Sequence, residues 1–224
     1  MSRQKRYFKC SRVRCHSIEF TETYLKRASP MKTILLMRHS IPEKSSAFVT
    51  DPGLSSSGTE RAKEISSTFR FADISQVWAS PSQRALQTAK LLGRPVRTDP
   101  RLLERKTGDT TGQDLSFWKR QYEDPNFKNP DGESFREVNA RMSACIREIL
   151  SGLSDGGTAL VVSHAAAICA YLQSFCTVEV THAEQKLRRI RFHGKLLLDG
   201  KLEPLAGFVL RVDSDGVSDV ERLP

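Results

Sequence analysis

Thr33-Ile34-Leu35-Leu36-Met37-Arg38-His39 decides the reading of this chain. The apolar run Thr33 to Met37 reads as a buried strand, and it delivers a cation and an imidazole to its carboxyl end. Ligands of open α/β sheets bind at that end of the strands. A second run of the same kind, Ala159-Leu160-Val161-Val162, ends in Ser163-His164. Two histidines far apart in sequence therefore occupy corresponding strand ends. An Arg-His pair alone carries little weight, because a lone histidine is more often packed or solvated. The repetition makes a shared pocket the expectation.

Between the two histidines lies Ala79-Ser80-Pro81-Ser82-Gln83-Arg84-Ala85-Leu86-Gln87-Thr88-Ala89, which follows the short strand candidate Gln76-Val77-Trp78. Pro81 and Ser82 suit a strand-to-helix corner. Ala85, Leu86, Ala89 and Leu92 recur at helical spacing, and Gly93 is a fitting stop. Arg84 falls in the first turn, where a guanidinium beside free backbone N–H groups makes an environment for a phosphate dianion. A glycine-punctuated loop, Leu102 to Gly112, carries Glu104, the candidate proton donor. Ser134-Phe135-Arg136-Glu137 reads as a capping box opening a helix toward Leu150; Glu133 and Ser134 are taken as architecture.

These residues resemble the histidine phosphatase superfamily in its phosphoglycerate mutase-like branch, from Met31 to about Val180. The family's Arg-His-Gly signature appears as Arg38-His39-Ser40. Its Leu-Thr-x-x-Gly block is similar to Leu54-Ser55-Ser56-Ser57-Gly58, and its Ser-Pro-x-x-Arg-Ala-x-Gln-Thr-Ala block matches Ser80 to Ala89. The glutamate block keeps its spacing in Glu104, Gly108 and Gly112. Pro130-Asp131-Gly132-Glu133-Ser134 and Val162-Ser163-His164 complete the series. The resemblance implies a three-layer α/β/α sandwich with a mostly parallel central sheet; Phe208 to Val220 reads as strand, turn and strand at its antiparallel edge.

The implied activity is metal-independent hydrolysis of a phosphomonoester, and the side chains can do that chemistry. Arg38, Arg84 and a protonated or donating His164 would neutralise the phosphoryl oxygens. His39, kept neutral by the flanking guanidiniums, would attack phosphorus and form a phosphohistidine. Glu104 would protonate the leaving oxygen and then act as base toward water. The scheme needs neither metal nor cofactor. Ser45 stands where the family often has an asparagine phosphate donor, and it offers only one hydrogen bond.

Plainer readings compete at each position. His39 suits a cap or core histidine, though neither explains the arginine beside it. Arg84 alone would be a solvated helix residue. Glu104, followed by Arg105 and Lys106, reads equally as half of a surface ion pair. The same pocket without proton transfer would be a phosphate- or phosphoprotein-binding module. Departures from the family pattern fall at Ser40, at Ala165-Ala166, at Thr110-Thr111 and at Cys169, where an arginine is usual, so substrate contacts do not transfer. A cofactor-dependent phosphoglycerate-type mutase is the enzymatic alternative. It calls for a long basic lid, whereas Gln113 to Asn129 is short, and this favours the phosphatase. Phe117, Trp118, Lys119 and Arg120 suit either a lid over an organic phosphate or an amphipathic helix on the core.

The 224 residues, 38% hydrophobic and 27% charged, fit one globular domain with a full α/β core. The net charge of +9 is uneven: residues 1–30 hold eight Lys or Arg against two Glu, and so carry +6 of it. The expected division is a basic extension over 1–30 and a histidine phosphatase domain over 31–224. An upstream start before Met31 is preferred for the extension over an RNA-binding arm or a transit peptide. The remainder is nearly balanced, so nucleic acid is an unlikely partner and a small phosphorylated metabolite the expected one. No run reaches the roughly 20 apolar residues of a membrane span. The five cysteines, odd in number and irregularly spaced, argue for a reducing cytoplasm. Cys10, Cys15 and His16 lack a fourth zinc ligand nearby. No oligomeric state is legible.

Overall fold

The computed structural model describes residues 31–44, 50–68, 73–92, 94–114 and 116–223. Residues 1–30, Ser45 and Gly93 lie outside the described residues, and so do the readings that fall on them.

The opening run forms β1 (Lys32–Arg38). Its alternate side chains enter two different cores. Ile34 and Leu36 pack with α4 (Phe135–Ser151) and α5 (Ala165–Leu172), while Leu35 and Met37 pack with α1 (Ser56–Thr68) and α2 (Gln83–Leu91). A strand apolar on both faces must be covered on both, and this makes the molecule three layers thick. The remaining strands of this sheet are β2 (Ile74–Ala79), β3 (Val96–Thr98), β4 (Thr158–Ser163), β8 (Gly207–Asp213) and β9 (Gly216–Leu223). Their order is β3-β2-β4-β1-β8-β9. The four strands from β3 to β1 run parallel, and β8 and β9 add antiparallel at the far edge.

Register carries the functional consequence. β1 and β4 are parallel neighbours with Arg38 opposite Ser163, so His39 and His164 leave adjacent strands at the same level. The His39 N–H donates to the Ser163 carbonyl at 3.0 Å, and the Ser80 N–H, just beyond β2, to the Val162 carbonyl at 2.9 Å. Three strand ends thus converge.

Local signals set the surrounding helices. Ser134 and Glu137 form the capping box at the start of α4, each side chain bonded to the other's backbone N–H. Gly58 lies so close to the Ile41 carbonyl that a Cβ there would overlap it. A separate antiparallel sheet, β5 (Thr177–His182), β6 (Leu187–Phe192) and β7 (Lys195–Gly200), was not anticipated. On its central strand Arg188, Ile190 and Phe192 share the inward face, and Ile190 and Phe192 join the α4–α5 core. No helix among the described residues is long and apolar enough to cross a membrane. Cys145, Cys169 and Cys176 are buried free thiols.

Candidate active site

His39 and His164 are both buried, with ring centroids 5.0 Å apart in an edge-on arrangement. The His39 Nδ1 lies 2.6 Å from the Ser40 carbonyl oxygen, which can only accept, so Nδ1 carries the proton and Nε2 the lone pair. Arg84 supports this tautomer: its Nε donates to His39 Nε2 at 3.2 Å. Its Nη2 donates to His164 Nδ1 at 3.2 Å, so the His164 proton sits on Nε2 and is given to Ser80 Oγ at 2.8 Å, with Ser82 Oγ at 3.2 Å. The third contact of Arg84 is Asp51, 3.2 Å from Nη1. One guanidinium in the first turn of α2 therefore ties both imidazoles together.

Arg38 is anchored by Nη1 on the Leu202 carbonyl, at 2.6 Å, while its buried Nε has no hydrogen-bond partner. Ser40, in place of the family's glycine, is a framework residue. Its N–H donates to Thr88 Oγ1 and its hydroxyl to the Gly58 carbonyl, which joins the strand end to α1 and α2.

Glu104 does not pair with Arg105 or Lys106. The Arg105 guanidinium turns inward to the Glu133 carbonyl and Gln121. The Glu104 carboxylate accepts from the backbone N–H groups of Arg105, Ala166 and Ala167 at 2.8, 3.3 and 2.9 Å, and so lies at the N-terminus of α5, directly after His164. It lines a cavity with Arg38 and another with Ser82 and Arg84. Glu133 is part of the framework that aims Glu104. It pairs with Arg141 through both oxygens, and Arg141 also holds the carbonyls of Arg101, Leu103 and Glu104, clamping the loop that presents the carboxylate.

Burial, more than the guanidiniums invoked from sequence, keeps His39 neutral: desolvation, opposed by the Ser40 carbonyl and helped by Arg38 and Arg84, takes its pKa down to about 4. Burial likewise lowers His164 well below the usual imidazole range, with His39, Arg84 and Arg38 adding to it. Of the two roles expected for His164, protonated or donating, burial in the ligand-free protein favours the neutral, donating one. In the unfolded chain both rings bind protons below about pH 6.5, so there the unfolded state holds more protons and stability falls as pH drops. Each ring contributes up to about 1.4 kcal/mol per pH unit. Between pH 6.5 and 5 the melting temperature of a His39→Asn/His164→Asn protein should fall less steeply than that of the wild type. Parallel curves would contradict neutral burial.

Sequence reasoning gave Ser80 and Ser82 no chemistry and did not find Asp51 or Arg188. The two serines stood within a quoted motif, whereas Arg188 had only the weak signal of its i, i+2, i+4 spacing with Ile190 and Phe192 on β6. Among the described residues no cluster of three or more His, Cys, Asp or Glu is placed to hold a metal ion.

The family model of the histidine phosphatase superfamily (branch 1) matches residues 34–190. A relative, the probable phosphoglycerate mutase GpmB of Enterobacter sp. (strain 638), is 26% identical over 194 residues, covering 77% of this chain and 89% of its own. Two solved structures share the fold. Mycobacterial glucosyl-3-phosphoglycerate phosphatase superposes with a TM-score of 0.60 at 19% identity, over 85% of this chain and 95% of its own. Phosphoglycerate mutase from Bacillus anthracis str. Sterne does so with 0.60 at 17%, over 88% and 94%.

Proposed function

The chain belongs to the histidine phosphatase superfamily, and from that premise we propose that it is a phosphomonoester hydrolase working through a phosphohistidine on a small organic phosphate. The observation that carries the reading is the His39 tautomer: a neutral ring, proton held by the Ser40 carbonyl, lone pair on Nε2 beside Arg84.

A phosphoryl group entering between Arg38 and Arg84 offers acceptors to the free Nε of Arg38 and to the Arg84 N–H groups now spent on two imidazoles. Moving Arg84 onto phosphoryl oxygen uncovers the His39 lone pair as the charge is neutralised. Nε2 then bonds to phosphorus while the ester oxygen leaves. His164 contributes a hydrogen bond once its proton moves to Nδ1. The Ser80 hydroxyl supports this change, since it can donate to Nε2 as well as accept from it. Glu104 gives a proton to the departing oxygen, then takes one from the water that cleaves the phosphohistidine, releasing inorganic phosphate and restoring His39.

The mutase reading draws support from the names of several relatives. Against it stands the short segment from Gln113 to Asn129, whose described residues hold one short helix, α3 (Ser116–Glu123), with Trp118 and Tyr122 packed on the core. A mutase needs a fuller enclosure to hold its phosphoenzyme away from water. The test follows inorganic phosphate release from p-nitrophenyl phosphate and from alkyl phosphates, with isomerised ester measured in parallel. Phosphate release is expected, and EDTA should leave it intact, because the charge is neutralised by arginine. Isomerisation in place of release, or loss in EDTA restored by a divalent ion, would overturn the reading.

A further inference from the structure

Ser82 stands at the N-cap of α2, where a serine hydroxyl ordinarily accepts from a backbone N–H of the first turn. Here its side chain makes no cap bond. The Gln83 N–H is taken instead by Asp51 Oδ2, at 2.9 Å, which leaves the Ser82 hydroxyl free to turn into the site. Its Oγ lies 3.2 Å from His164 Nε2 and 3.2 Å from Ser80 Oγ. Within the block running from Ser80 to Ala89, residue 82 is one of the undefined positions, so the family pattern does not require a hydroxyl there.

Hydrogen-bonding capacity fixes the order of the three groups. A hydroxyl has one proton to give and two lone pairs. Ser80 Oγ accepts from His164 Nε2 at 2.8 Å and from the Ser82 N–H at 3.3 Å, so both of its lone pairs are used. Its own proton goes to Ser82 Oγ. Ser80 is fully buried, whereas Ser82 lines the open cavity of about 550 Å³ that also includes Asp51, Arg84 and Glu104. A directed line of donors therefore runs from His164 Nε2 through Ser80 and Ser82 to that cavity.

We propose that Ser82 is a positioning residue acting through His164: with Ser80 it forms a proton path by which the ring changes tautomer when a phosphoryl group binds. The phosphoryl position is that of the hydrolase reading above; the path itself needs no turnover. Once Arg84 Nη2 moves onto phosphoryl oxygen, His164 Nδ1 takes the proton of an ester that enters as a monoanion, leaving it a dianion. Nε2 gives its proton to Ser80 Oγ, the former Ser80 proton passes to Ser82 Oγ, and the former Ser82 proton goes to water in the cavity. The ring begins and ends neutral, and the net change is one proton from ester to solvent. Ser80 then donates to Nε2, and the new Nδ1–H donates to the phosphoryl oxygen. Without the Ser82 hydroxyl the buried Ser80 proton has no acceptor ahead of it, and the ring stays in its resting form.

Ser82→Thr and Ser82→Val test the path, because the two side chains match in shape and differ by the hydroxyl. Nitrogen NMR of protein labelled in its histidine rings reads the tautomer, the His164→Asn spectrum assigns the signal, and inorganic phosphate is the probe. In the wild type and in Ser82→Thr the proton should sit on Nε2 in the free protein and on Nδ1 at saturating phosphate. In Ser82→Val it should stay on Nε2, and kcat/KM on an alkyl phosphate should fall about tenfold, as expected for one lost hydrogen bond to a charged group. Thermal unfolding checks that both variants fold; if they do not, Ser82→Ala, which removes no cap bond, is compared with the wild type by the same signal. A variant lacking the hydroxyl that switches as fully as the wild type, or a wild-type ring that keeps its proton on Nε2 with phosphate bound, would overturn the path. A hydroxyl-dependent switch without hydrolysis of any ester would overturn the phosphatase reading alone, and failure of phosphate to bind would overturn both.

Discussion

His39→Ala is expected to remove turnover, by at least about 10⁴-fold, together with any acid-labile, alkali-stable phosphoryl adduct. The loss is large because the imidazole is the group that bonds to phosphorus in the proposed cycle, and its neighbours do not replace it. The Ser80 and Ser82 hydroxyls are held on His164 Nε2. Arg84 is a donor only, and once the ring is gone it turns fully to Asp51 or to the phosphoryl group. Direct attack by water remains, without the covalent step that divides the barrier. Rapid quench with radiolabelled ester, followed by acid and alkali treatment of the trapped protein, reads the adduct. Persistence of the same adduct in His39→Ala would assign the nucleophile to another residue.

Glu104→Gln should lower turnover by roughly 10²–10⁴ on an alkyl phosphate while affecting p-nitrophenyl phosphate far less. The substitution is close in shape. The amide oxygen can still accept from the Ala167 N–H, and the clamp from Arg141 acts on loop carbonyls that do not change. What disappears is the ability to pass a proton to an alkoxide, which a nitrophenolate scarcely needs. Measuring kcat on both esters separates the roles. Equal losses on both would mean that the carboxylate only holds α5 and the loop, and the phosphate-binding module would regain ground.

The parts of this protein legible without coordinates are those whose causes are local. The apolar run before Arg38-His39, its counterpart before Ser163-His164, the corner at Pro81-Ser82 and the capping box at Ser134 and Glu137 each follow from side-chain periodicity or from hydrogen bonds spanning a few residues. They carried the α/β class, and with the resemblance they nominated His39, Arg84, His164, Arg38 and Glu104 together. Non-local matters stayed hidden. The register that sets Arg38 opposite Ser163, and so brings two imidazoles within 5.0 Å, depends on pairing strands more than a hundred residues apart. The neutral state of His164 follows from burial, which no neighbour in sequence reports. Arg188 drew no reading from the sequence; the packing of its strand turns it inward to Tyr122 on α3 and Cys169 on α5. Sequence by itself determined which chemical groups the chain owns and the strand ends that present them, because short-range sterics and hydrogen bonding decide such things. Tertiary structure alone decided their protonation, their mutual aim and the cavities beside them, because desolvation and long-range contact exist only once the layers close.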